Sequence, residues 1–171
     1  QADSGVVDAD VLHSLQLTRS FGENDPLKVI GAAKIKELVW HEDAFAIGFN
    51  FGLLTSLVKL DMSVEKASGY RNGSFMASTN GMLLLEEVNM RNNLLARNGD
   101  NGNVATLDLS WQGRLKKLEV RGTGLTRVKL ATGAPVVQLC LPDTIEELFL
   151  EYLTKLQDSG LILEGINNVR G

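Results

Sequence analysis

The sequence predicts a β-rich solenoid: one domain over residues 1–171, coiled around a single parallel sheet of about six strands with few helices. Three observations lead there. A short pattern with leucine-like residues at its first, fourth and sixth places recurs six times. Between several copies lie second runs that alternate apolar and polar residues, the period of a strand with one buried face. Helical 3.6-residue periodicity is weak throughout, so extended connections are expected in place of helices.

In chain order, the first copy is Leu12-His13-Ser14-Leu15-Gln16-Leu17. Glu23-Asn24-Asp25-Pro26 breaks the strand with turn residues, and residues 28–36 are expected to form a short helical or irregular crossing. The second copy is Ile35-Lys36-Glu37-Leu38-Val39-Trp40. The third, Leu57-Val58-Lys59-Leu60-Asp61-Met62, follows a glycine- and phenylalanine-rich connection at Phe45 to Gly52. A polar loop from Glu65 to Gly81 is the least regular segment and precedes the fourth copy, Leu85 to Leu95. Leu115-Lys116-Lys117-Leu118-Glu119-Val120 and Ile145-Glu146-Glu147-Leu148-Phe149-Leu150 complete the set. From Leu15 through Leu38, Leu60, Val88 and Leu118 to Leu148, the steps are 23, 22, 28, 30 and 30 residues. The secondary runs, Thr106 to Leu109, Arg127 to Leu130, Gln138 to Leu141 and Leu161 to Leu163, fall roughly half a repeat away and are expected on the opposite side of the coil.

On these residues the chain resembles the leucine-rich repeat family over nearly its whole length, in the irregular style found in bacterial surface proteins and phage proteins. The Leu85 copy reads L-x-x-L-x-L-x-x-N-x-L, with Val88 and Met90 replacing two leucines and Asn93 placed to hydrogen-bond unpaired backbone. The Leu115 and Ile35 copies keep a polar residue at the asparagine place, Thr123 and Asp43, with Leu125 and Phe45 two places on. The Leu12, Leu57 and Ile145 copies depart there, Glu65 being one such departure. The resemblance implies a curved right-handed coil that binds proteins or glycans on its concave strand face and is very seldom an enzyme. It is also compatible with a structural or docking segment of a cell-surface or virion assembly.

Composition narrows the classes further. A net charge of −4 supplies no polycation for a phosphate backbone, so nucleic acid is an unexpected partner. No stretch of about 18 uninterrupted apolar residues is present, so no membrane span is expected. The single cysteine, Cys140, excludes an internal disulfide; its alternation with Leu139 and Leu141 points it outward, without a histidine partner to make it a nucleophile. His41-Glu42-Asp43 alternates across a strand and His13 belongs to another repeat, so no metal site is expected. Asp100-Asn101-Gly102-Asn103 matches half of a calcium loop but lacks its spaced carboxylates and terminal glutamate. Nothing sets a nucleophile, a base and an orienting group in a recognisable arrangement, so neither an enzyme nor a cofactor is expected.

The residues expected to carry function lie on the concave face. Third-place side chains should stack at about 4.8 Å as a ladder of alternating charge, Glu37, Lys59, Glu87, Lys117 and Glu147. The expected contact surface is Asn89, Arg91, Glu119, Arg121, Phe149 and Tyr152, because arginines and exposed aromatics dominate protein interfaces. The chain begins at Gln1 without methionine and ends soon after Leu161-Ile162-Leu163, so it is also expected to be part of a longer protein. Its last repeat would then be covered by further chain, another copy or a partner.

Overall fold

A strand whose alternate residues are apolar has one face to bury, and a stack of such strands buries it coil upon coil. The structure, a computed structural model, describes residues 6–8, 14–17, 28–40, 50–65, 79–95 and 106–163. Among these the strands are β1 (Val6–Asp8), β2 (Ser14–Leu17), β3 (Lys28–Ile30), β4 (Glu37–Trp40), β5 (Lys59–Asp61) and β6 (Glu87–Asn89). They continue as β7 (Thr106–Leu109), β8 (Lys117–Glu119), β9 (Arg127–Leu130), β10 (Gln138–Leu141), β11 (Glu147–Phe149) and β12 (Leu161–Leu163). Every described pairing is parallel. The described residues contain no α-helix, only single 3-10 turns such as Phe51–Leu53, where Asn50 caps the Gly52 N–H. The stretch expected as a helical or irregular crossing at residues 28–36 contains β3 and one such turn, Ala32–Lys34. The β-solenoid expected from sequence is therefore the observed architecture.

The main sheet has seven strands in the order β12-β10-β8-β6-β5-β4-β2, one more than expected. Its inward register runs Leu15, Leu38, Leu60, Val88, Leu118, Leu139 and Leu161, in steps of 23, 22, 28, 30, 21 and 22 residues. A second sheet, β11-β9-β7, stacks Leu107, Val128 and Leu148. From β7 onward the chain alternates between the two sheets. This corrects the strand assignment at the C-terminal end: Gln138 to Leu141 and Leu161 to Leu163 belong to the main sheet, and the Ile145 copy belongs to the second sheet. The cause is that Leu125-x-x-Val128-x-Leu130, Val136-x-x-Leu139-x-Leu141 and Ile145-x-x-Leu148-x-Leu150 satisfy one pattern. Only the shorter step of 21 or 22 residues reveals which of them continues the β8 edge.

Backbone polar groups are passed from coil to coil. The Lys36 carbonyl accepts the N–H groups of both Val58 and Lys59, and the carbonyls of Val58, Glu86 and Lys116 each accept two successive N–H groups from the next coil. Thr126 does the same on the second sheet for Glu146 and Glu147. After β6, the buried Asn93 donates its side-chain amide to the Met62 carbonyl at 2.9 Å, the role expected of it. Asn92, at φ 61, donates to the Val64 and Glu65 carbonyls. In the next coil Gly122 lies against Asn92 at φ +73, where an added Cβ would collide with the Asn92 side chain.

Leu60, Val88, Met90, Leu118 and Val120 are at most 2% exposed, as expected of inward positions. Leu148 and Leu150 pack against this core but remain partly exposed. Replacing Leu118 by Ala is expected to cost about 2–5 kcal/mol by denaturant unfolding, since a closed site keeps the cavity. Leu148→Ala is expected to cost clearly less; equal losses would place Leu148 in the closed interior.

Candidate binding groove

Outward positions of β4, β5, β6 and β8 line an open trough of about 380 Å³ along the main sheet. Parallel pairing fixes its rungs. The third-place row is Glu37, Lys59, Glu87 and Lys117, each in register with the next. The fifth-place row is Val39, Asp61, Asn89 and Glu119. The expected ladder holds over these four rungs and then ends, because Gln138 lies beside Lys117, while Glu147 pairs with Arg127 in the second sheet.

Fifth-place side chains also close the turns that follow their strands. Asp61 Oδ1 accepts from the Ser63 N–H and hydroxyl, Asn89 Oδ1 accepts from the Arg91 N–H at 3.1 Å, and Glu119 Oε1 accepts from the Arg121 N–H at 3.0 Å. Asp108 repeats the motif on the second sheet with the Ser110 N–H. A short acceptor side chain bonding the N–H two residues on replaces the ladder bond that the backbone loses as it turns.

At the C-terminal end of the trough this motif becomes an ionic cluster. Arg121 donates its Nε to both carboxylate oxygens of Glu119 at 2.9 and 3.1 Å, and its Nη2 to Oε2 at 2.6 Å. Beside the pair sits Cys140, in register with Glu119 and fully buried. Its alternation in sequence gave the correct side of the strand but not its burial, which the outward orientation did not anticipate. Gln138 Nε2 approaches the Cys140 sulfur at 3.7 Å. Burial first, and then the Glu119 carboxylate, push the thiol above its ordinary 9.0, so it stays protonated at neutral pH. For Glu119, burial alone would raise the carboxyl, but the Arg121 hydrogen bonds and charge outweigh it and hold the group below its ordinary 4.5.

The expected contact surface is split in two. Asn89, Arg91, Glu119 and Arg121 lie on or just beyond main-sheet strands, with Arg121 engaged by Glu119. Phe149 is on β11 of the second sheet, where the Arg127 guanidinium lies 5.1 Å from its ring centre while bonding Glu147 at 3.0 Å. Tyr152 follows β11 at φ 57 and is 77% exposed. The aromatic residues therefore do not join the arginines on one strand face, because β11 pairs with β9 and not with β8. Sequence reading missed Gln138 as a groove residue; the 21-residue step from Leu118 to Leu139 was the signal that could have found it. His13, His41 to Asp43, and Asp100 to Asn103 lie outside the described residues. Among the described residues no helix is long and apolar enough to cross a membrane.

Compared with protein-family models, curated proteins and solved structures, the chain gives no match.

A carboxyl held low in the folded state contributes its full stability above its ordinary value and loses it as pH falls through the lowered folded value. Between about pH 6 and pH 3, Glu119→Gln is therefore expected to lose less stability than the parent chain, read as the shift in denaturant midpoint. Equal acid sensitivity would mean that the Glu119–Arg121 pair is not maintained in solution. The same cluster covers the thiol, so Arg121→Ala is expected to accelerate modification of Cys140 by a disulfide reagent in the folded protein. An unchanged rate would assign the protection to the strands alone.

Proposed function

We propose that the chain is a leucine-rich repeat module that binds a protein partner through the trough on its main sheet. The observation that carries this reading is the trough itself, open across four rungs with two ordered rows of outward side chains over a fully buried leucine floor. A parallel-stacked face fixes the backbone positions from which its side chains project before a partner arrives, which lowers the ordering cost of association. Arg91, exposed at the margin, and the turn-forming Asn89 and Glu119 border the surface that the partner would meet. Phe149 on β11 of the second sheet, and Tyr152 in the segment after it, are assigned no role in this contact.

A second reading rests on a different observation. Leu148, Leu150, Leu153, Leu156, Leu161 and Leu163 pack on the core at the C-terminal end and all remain partly exposed. That end suits a docking segment of a larger surface or virion assembly, stacked against a neighbouring body.

Panning a random peptide display library on the immobilised chain separates the two. Under the first reading, recovered peptides lose about tenfold or more of their affinity, about 1.4 kcal/mol, against Glu87→Lys or Lys117→Glu, and are unaffected by Lys129→Glu on the opposite sheet. Peptides sensitive instead to Leu156→Lys favour the docking segment. Peptides weakened only by Lys129→Glu would remove the trough as the binding face.

A further inference from the structure

From β2 to β10 the outward third-place row of the main sheet reads, rung by rung, Ser14, Glu37, Lys59, Glu87, Lys117 and Gln138. Four charged rungs alternate in sign, and a neutral rung flanks them on each side. A row of this kind is complementary to itself when reversed. We propose that two copies of the chain associate face to face across the trough, with the ladder of one copy meeting the ladder of the other in reversed order. The inference rests on the trough being a protein-binding face and names its partner as a second copy.

One arrangement opposes all four charged rungs to opposite charges. Consider a half turn about an axis parallel to the strands, lying midway between the two facing sheets. It preserves strand direction and reverses rung order, so Glu37 meets the partner's Lys117, Lys59 meets the partner's Glu87, and Ser14 meets the partner's Gln138. Every opposed pair is attractive or neutral. The fifth-place row adds no like-charge pair either, since Asp61 meets the partner's Asn89 and Glu119 meets the partner's Val39. A half turn about an axis parallel to the solenoid axis, midway between the facing sheets, instead preserves rung order and, with the third-place rows opposed, sets each of the four charged rungs against its own equivalent. Closed two-fold pairing of this kind is the commonest form of self-association.

Spacing and side-chain length agree with a second copy. Parallel coils repeat at about 4.8 Å, so two such ladders match rung for rung, whereas an extended peptide repeats its same-face side chains every roughly 6.8 Å. Facing sheets pack about 10 Å apart, a gap that Glu and Lys side chains reaching from opposite sides can span. Within one chain these charges are only loosely engaged. Lys59 Nζ is 4.0 Å from Glu37 and Lys117 Nζ is 3.9 Å from Glu87, with the four side chains 38% to 53% exposed.

Light scattering on the full chain across a dilution series tests the proposal. The parent protein is expected to double its mass with concentration at low salt and to return to monomer at about 1 M salt, where the screening length is about 3 Å. Lys117→Glu and Glu37→Lys are each expected to be monomeric, because each creates two like-charged pairs across the axis. Their equimolar mixture is expected to regain the dimer, because both pairs are then opposite in sign. Thermal midpoints of the separate variants establish that each is folded, and Lys59→Glu mixed with Glu87→Lys repeats the design if either is not. A parent chain that is monomeric at every concentration, a dimer that persists in both single variants, or a mixture that stays monomeric overturns the proposal. In any of these cases, panned peptides sensitive to Glu87→Lys would leave the trough standing as a face for another protein, while their absence would remove that reading as well.

Discussion

A strand in a parallel stack has no hairpin to hold it, so its backbone hydrogen bonds must be delivered by the coils on either side. Here the delivery is visible where each connection turns into its strand: one carbonyl receives two successive N–H groups from the next coil, at Lys36, Val58, Glu86 and Lys116. These bonds hold whichever register the buried side chains select. Once it is set, inward aliphatic residues fall on inward aliphatic residues, the Asn93 amide reaches the Met62 carbonyl, and outward charges form rows. A slip by one residue would turn the whole leucine set outward, which is why one buried face specifies the pairing so strongly.

Much of this was legible in the sequence because the buried face has a period of two and recurs. Leu38, Leu60, Val88 and Leu118 were assigned to successive rungs by apolar spacing alone, and Asn93 by its place after the strand. The C-terminal half was harder for a physical reason. Once each coil carries two strands, both of them bury one face and both satisfy the same apolar pattern, so Ile145-Glu146-Glu147-Leu148 reads as well as Val136-Val137-Gln138-Leu139. Pattern identifies a strand but not its sheet. The misplacement of Glu147, and with it Phe149 and Tyr152, follows directly. Cys140 illustrates a second gap: alternation gives the side of a sheet, while burial on that side depends on what the neighbouring coil lays over it, here Glu119 and Arg121.

The two sheets use their charges differently. On the main sheet the rungs alternate in sign along the stack, and the Glu37–Lys59 and Glu87–Lys117 charges stand 4.0 and 3.9 Å apart while about half exposed, pairs that contribute little to folding. Their value there is as a pattern presented outward. Glu119 and Arg121 are instead joined in close contact and half-withdrawn from water, where pairing offsets the cost of burial. Arg127 on the second sheet is intermediate, held by Glu147 and spread over the Phe149 ring.

The two ends of the main sheet are unequal in a way that bears on motion. At β2, an edge strand, Leu15 and Leu17 are only 3% and 2% exposed. At β12, the opposite edge, Leu161 and Leu163 are partly open, as are Leu148 and Leu156 behind them. In a stack whose coils are stabilised mainly by their nearest neighbours, the coil with the least buried apolar surface opens first and at the lowest free energy. An opening that begins at the β12 edge therefore reaches the Glu119, Arg121 and Cys140 cluster when β10 leaves β8.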